Sequence, residues 1–310
     1  MPGIKELKSR IKSIQSTRKI TRAMQMVSAA KMRKAQTAAL NSRTYSDLAW
    51  ELINNLSGPA NTEETEDLFD VVNLDSKAKS KIALLMTEYP EAKKTGYIII
   101  STNTGLVGSF NSNLLATYQK MENKDSELIS ELLVMGRKAK DFAIRFGKNM
   151  TADFPKQDRL VTIESIYPLA RMVSDLYKTG EYKQISIIYN KFISTLNQKP
   201  TVKQLLPLLG SNSETQQQNS SQNNPTDYLF EPDPELVLNN LLPRIIESQI
   251  YQALLESDAG EHSARMVTMK NATEAAGELI SDLTLTFNQL RQNKITTELS
   301  EITAGRIALE

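Results

Sequence analysis

The chain has no cysteine among its 310 residues and only one histidine. Disulfides, thiolate catalysis, iron–sulfur clusters and cysteine-type zinc sites are thereby excluded, along with most histidine-based metal sites and catalytic triads. Aromatic residues are 6% of the chain against 40% hydrophobic. A core made mainly of Leu, Ile, Met and Ala on helices fits that balance better than a thick all-β sandwich. No apolar run approaches the roughly 18 residues that a membrane-spanning helix needs. The opening residues, MPGIKELKSRIKSI, lack the apolar stretch of a secretory signal, so a soluble intracellular protein is expected. The formal net charge is +1, which gives no global attraction to nucleic acid or to an anionic membrane.

Proline and glycine are also missing where they would matter most. After Gly3 neither occurs before Ser57, so nothing interrupts a helix there. Ile4, Leu7, Ile11 and Ile14 recur at coiled-coil spacing. The register is then expected to slip, with Ile20, Met24 and Val27 carrying the stripe onward. A helix of this length spans roughly 80 Å, more than most domains, so part of it is expected to protrude or to be wrapped by a partner. At the other end a second long helix is expected from Pro234, with a kink at Pro243. Its seam runs through Met266, Met269, Thr273, Ala276, Ile280, Leu283, Phe287 and Leu290, then shifts to Ile295, Leu299 and Ile302.

Between these helices the pattern changes. Gly58-Pro59 opens an acidic linker (Glu63, Glu64, Glu66, Asp67) followed by a short helix. Apolar runs at 97–100, 132–135 and 185–189 read as buried strands, with a further strand within 200–209. Helices are expected over 109–121, 136–146 and 163–178, and strands alternating with helices imply βαβ units and a mainly parallel sheet. The polar tract 211–224 is expected to be a disordered surface loop. The resulting fold class is α/β: a long antiparallel coiled coil of N- and C-terminal helices plus a Rossmann-like α/β domain. The divisions are 1–57 for the N-terminal helix, 58–232 for the globular domain, and 233–310 for the C-terminal helix.

Few constellations suggest chemistry. Residues 104–111, TGLVGSFN, sit where a phosphate-binding turn would, but they match neither the P-loop nor the three-glycine dinucleotide pattern and read as a tight strand-to-helix turn. His262, beside Glu261, falls on the C-terminal seam with no nucleophile nearby. The methionines Met24, Met26, Met32, Met266 and Met269 read as adaptable packing. The N-terminal charge run is more informative. Lys5, Lys8, Arg10, Lys12, Arg18, Lys19, Arg22, Lys31, Arg33 and Lys34 face one acid, Glu6. A solvated face normally mixes signs to gain i,i+4 pairs, so an acidic partner explains the run better than solvent does. Nucleic acid is one such partner, but the aromatic platforms that accompany single-strand binding are absent from the run. A nucleotide-binding α/β enzyme with helical arms and a nucleic-acid-binding coiled coil stay open beside a mechanical or interaction protein.

Residues 11–27, IKSIQSTRKITRAMQMV, resemble the N-terminal helix of the gamma subunit of F-type rotary ATP synthases. Residues 264–273, ARMVTMKNAT, and 287–302, FNQLRQNKITTELSEI, are similar to that subunit's C-terminal signature. The stretches 100–111, 190–195 and 228–234 follow it in order, so the resemblance covers essentially the whole chain. It implies a central rotor shaft that couples ion-driven rotation of a membrane ring to the cycling of catalytic beta subunits, with no catalytic residue, cofactor or metal on this chain. The implied partners are the alpha and beta subunits of the hexamer, the epsilon subunit and the c-ring, with one copy of this chain per complex and no nucleic acid. The implied location is peripheral, on the cytoplasmic face of the bacterial plasma membrane. Carried over by position, Met24, Arg265, Gln292, Thr296 and Glu298 contact beta, whose acidic catch loop suits the basic helix. Two departures stand out: Val107 where the family commonly has Cys, and Arg306 in a tip that is generally small and apolar.

Overall fold

The computed structural model describes residues 3–57, 84–125, 127–157, 161–208 and 234–307. The chain groups into two compact units, Met1–Lys31 with His262–Glu310, and Met32–Glu261. Helix α1 (Ile4–Ser57) is 54 residues long and contains neither proline nor glycine. Strand β1 (Lys94–Ile100) leads into α2 (Phe110–Lys124), β2 (Ile129–Met135) into α3 (Arg137–Arg145), and β3 (Met150–Phe154) follows. A 3-10 turn (Ile163–Ile166) opens α4 (Tyr167–Lys178), and β4 (Tyr182–Phe192) and β5 (Gln198–Leu206) come next. Helix α5 (Pro234–Ile307) has 74 residues and is one element through Pro243. Its first residue is a proline, whose missing N–H would have no partner at that position anyway. The acidic linker to residue 83 and the tract 211–224 lie outside the described residues.

The strands form one sheet in the order β3-β2-β1-β4-β5. β1 pairs in parallel with both β2 and β4, and β3 pairs in parallel with β2. β5 is antiparallel to β4. Alternate residues of β1 face opposite ways. Tyr97 and Ile99 pack with Leu114, Tyr118 and Phe142 under α2 and α3. Ile98 and Ile100 pack with Leu169, Val173 and Tyr177 of α4 and with Leu242, Ile246 and Ile250 of α5. Helices on both faces explain why β1, β2 and β4 read as continuous apolar runs.

Two boundaries differ from the sequence reading. β3 was not foreseen because it is a five-residue edge strand, MTADF, whose exposure alternates and which has no apolar run. The expected helix 163–178 is a 3-10 turn followed by a helix proper from Tyr167, with Pro168 in its first turn, where proline is best accommodated.

Candidate functional site

The first unit is a helix pair. The Thr273 hydroxyl donates to Thr21 Oγ1 at 2.8 Å. The Arg18 guanidinium lies against Gly277, where an added Cβ would stand 3.6 Å from Cζ. Gly3, Ile4 and Lys5 share an open depression with Leu290 and Lys294. Numbers fall along α1 as they rise along α5, so the pair is antiparallel. Burial on α5 follows the expected seam: Met269 and Ala276 are buried, and Met266, Thr273, Ile280, Leu283, Phe287 and Leu290 are half-buried.

The expected register slip in α1 does not occur. Ile20 and Val27 are 61% and 56% exposed, whereas Ser28 is only 4% exposed. Ile4, Leu7, Ile11, Ile14, Arg18, Thr21, Gln25 and Ser28 keep an unbroken 3-4 spacing, and all except Arg18 are at least half-buried. Heptad position decides what faces the partner helix, and here the middle of the seam is polar. Of the three residues expected to carry the stripe, Ile20 and Val27 point outward among the cations and Met24 is half-buried. All ten basic residues of the run are exposed, with Arg10 held to Glu6 at 2.7 Å.

The far end of α5 also differs from the expected shifted seam. From Arg291 onward each described side chain is exposed. Ile295, Leu299 and Ile302 are 49%, 59% and 70% exposed. Ile4, at the start of α1, lies level with Leu290 and Lys294, so α1 offers nothing for the last turns to pack on.

The proposed contact residues do not converge on a point. Met24 is half-buried, and Arg265 is 8% exposed with Nη1 3.4 Å from His262 Nδ1. Gln292 and Thr296 are exposed one turn apart, the Thr296 hydroxyl donating to the Gln292 carbonyl at 2.9 Å. Glu298 is exposed and lies 3.5 Å from Lys294. From residue 265 to residue 298 a helix advances about 50 Å. These side chains are spread along the helix pair and are not gathered at one point.

In the second unit, the strand order β3-β2-β1-β4 makes the gap between the parallel strands β1 and β4 the point where the winding of the sheet reverses. In doubly wound folds the crevice at the carboxyl ends of such strands is the usual ligand site. Here it is filled by the protein itself. Asn190 at the end of β4 donates to the Phe110 carbonyl at 3.2 Å, and α5 crosses the same edge at Gly260, where a Cβ would stand 3.1 Å from the Phe110 ring and 3.4 Å from Gln198. The turn 104–111 satisfies itself: the Asn111 amide donates to Thr102 Oγ1 at 2.8 Å, and that hydroxyl donates to the Thr104 carbonyl at 2.7 Å. Leu106 and Gly108 take left-handed backbone angles of 62° and 58°, as a tight turn requires. The nucleotide-enzyme reading therefore finds no open crevice among the described residues. None of them form a group of three or more His, Cys, Asp or Glu able to hold a metal.

Sequence reasoning missed the buried polar groups of α5. The Glu256 carboxylate is 3.8 Å from Arg43 and takes a hydrogen bond from the Tyr189 hydroxyl, whose pKa is pushed up by burial and then by that carboxylate. On the sheet, Glu131 accepts hydrogen bonds from Tyr182 and Thr151 and lies 3.2 Å from Lys94. Burial raises the Glu131 pKa, but these donors outweigh it and hold the carboxyl below its usual range. No periodicity marks such groups, because their partners lie far away in sequence.

The profile of the ATP synthase family matches residues 3–309. The ATP synthase gamma chain of Pelotomaculum thermopropionicum is 40% identical over the full length of both chains, and that of Haemophilus influenzae is 39% identical, also over both full lengths. Among solved structures, a chain of the Euglena gracilis mitochondrial ATP synthase has the same fold, with a TM-score of 0.64 at 18% identity, covering 99% of this chain and 94% of that one. A central-stalk chain of Tetrahymena thermophila mitochondrial ATP synthase has a TM-score of 0.54 at 24% identity, covering 82% and 99%. With sequence likeness unbroken from end to end, the chain belongs to the family of ATP synthase gamma chains.

Proposed function

We propose that this chain is the central rotor shaft of an ATP synthase, a non-catalytic subunit that couples ion-driven rotation of a membrane ring to conformational cycling of catalytic beta subunits. The carrying observation is full-length likeness to gamma chains in a molecule whose conspicuous feature is an antiparallel helix pair ending in exposed Leu299 and Ile302. Apolar residues on an isolated helix end call for a surrounding partner, and a ring of alpha and beta subunits supplies one. The predominantly basic outer face of α1 suits an acidic loop on beta, and attraction of that kind steers and orients contact more than it adds affinity.

Met24, Arg265, Gln292, Thr296 and Glu298 are the proposed positions of contact with beta. The epsilon subunit and the c-ring are the proposed partners of the α/β domain. The chain is a peripheral part of a membrane complex, and no helix among the described residues is long and apolar enough to cross a membrane. Its proposed place is the cytoplasmic face of a bacterial plasma membrane.

Co-expression with the alpha and beta subunits tests this reading. One copy of the chain is expected to co-purify with three of each, and inverted vesicles carrying the complex are expected to build a membrane potential on adding ATP. Failure to co-purify, or tight ATP binding by the chain alone, overturns it.

A further inference from the structure

The Lys156 side chain is 3% exposed and stands just beyond β3, at the carboxyl edge of the sheet. Its ammonium lies 2.8 Å from Asp258 Oδ1 and 2.7 Å from Glu261 Oε2, both on α5. It also donates to the Ser101 carbonyl at the end of β1, at 3.2 Å. An ammonium has three donors, so these contacts use all of them. The backbone is held as well, with the Asn103 amide donating to the Lys156 carbonyl at 2.8 Å. Burial lowers the Lys156 pKa, but Asp258 and Glu261 outweigh it and hold it well above the ordinary value, so the cation persists at working pH.

Between the two carboxylates in sequence lies Gly260, where an added Cβ would stand 3.1 Å from the Phe110 ring and 3.4 Å from Gln198. A mid-helix glycine costs about 1 kcal/mol relative to alanine, and here it permits a close approach that a side chain would block. Elsewhere in this unit α5 is held mainly by apolar contacts through Leu242, Ile245, Ile246, Ile250 and Leu254, with polar contacts from Arg244, Tyr251 and Glu256 to Tyr167, Val161 and Arg43. Such contacts are non-directional and resist rolling of a helix about its own axis weakly. Charge-assisted hydrogen bonds are directional. The ion cluster therefore adds a buried directional clamp on α5 at the sheet edge, and α5 runs as one helix to Ile307.

We propose that Lys156, bridging the ends of β1 and β3 to Asp258 and Glu261 around the Gly260 notch, is the positioning residue through which torque on the α/β domain enters the shaft helix. The proposal rests on the rotor-shaft reading. It places the bearing point in the crevice that other doubly wound domains use for ligands, now occupied by the protein's own helix.

The test uses the complete complex in inverted vesicles, reading ATP hydrolysis and ATP-driven membrane potential side by side. Removing Lys156 alone takes the bridging cation away from two buried carboxylates, so the informative variant is K156M/D258L/E261Q, which neutralises the cluster at similar volume. Its complexes are expected to assemble and to hydrolyse ATP within twofold of the parent rate. The potential generated per ATP is expected to fall at least threefold, whereas K156R keeps more than half of it. An unchanged ratio in the triple variant overturns the proposal. So does failure of both variants to assemble, which would make the cluster a requirement for folding only. Failure of the parent chain to assemble or to generate a potential would instead sink the rotor-shaft reading itself.

Discussion

Gln249 is 2% exposed, and neither its amide nitrogen nor its oxygen has a hydrogen-bond partner among the described residues. Ser248, Gln252, Glu256 and Ser257 on the same stretch of α5 also carry unpartnered oxygens. A buried polar group without a partner costs about 1–3 kcal/mol, so Gln249→Leu, similar in size, is expected to raise stability by about 1 kcal/mol in urea unfolding of the full chain. A lower midpoint would show that the amide is satisfied after all. Glu131 gives a pH-dependent case. Its folded pKa lies below the ordinary carboxyl value of 4.5, so its contribution is complete above that pH and is lost as pH falls through the folded value. Glu131→Gln is expected to flatten the loss of stability below about pH 4.5, read from urea midpoints across pH, and an unaltered acid limb would refute this. Residues of this kind were illegible in the sequence. Lys156 sits between Asp153 and Asp158 in the sequence, yet its partners Asp258 and Glu261 are about a hundred positions further on.

Two glycines of α5 show how one residue type takes opposite roles within one element. At Gly277 an added Cβ would meet only Arg18, at 3.6 Å or more, which is ordinary contact. Gly277→Ala is therefore expected to stabilise the chain by about 0.5–1 kcal/mol through helix propensity. At Gly260 the same change would press on the Phe110 ring at 3.1 Å, and Gly260→Ala is expected to lower the thermal midpoint despite the same propensity gain. Equal shifts at both positions would contradict the close-approach argument. The elements themselves were largely legible: both long helices, β1, β2, β4 and the mainly parallel sheet follow from period and punctuation. The edge strand β3 was not, because half of it faces solvent and it mimics a loop. The seam of α1 was misread for a related reason. Hydrophobicity was followed through Ile20 and Val27, but burial follows the heptad through Arg18, Thr21, Gln25 and Ser28.

At the scale of the whole molecule, the polar seam and the outward-facing Ile20, Met26 and Val27 belong together in the proposed shaft. A helix pair that must also meet a surrounding ring has two faces to cover, and apolar residues are divided between them. Met24 lies half-buried at the border of these faces. Met24→Lys is expected to leave assembly intact while lowering the membrane potential generated per ATP hydrolysed, because a charge is added at the proposed contact with beta; an unchanged ratio in vesicles would count against it. Sequence by itself determined the lengths of the helices, the alternation of strands and helices between them, and membership of the family, since these depend on local period, on punctuation by proline and glycine, and on motif order. Tertiary structure alone decided which seam residues face inward, that α5 fills the crevice at the sheet's carboxyl edge, and that Lys156 meets Asp258 and Glu261 there. Those outcomes depend on which distant residues share a surface once the chain is folded, and no local pattern along the chain encodes that pairing.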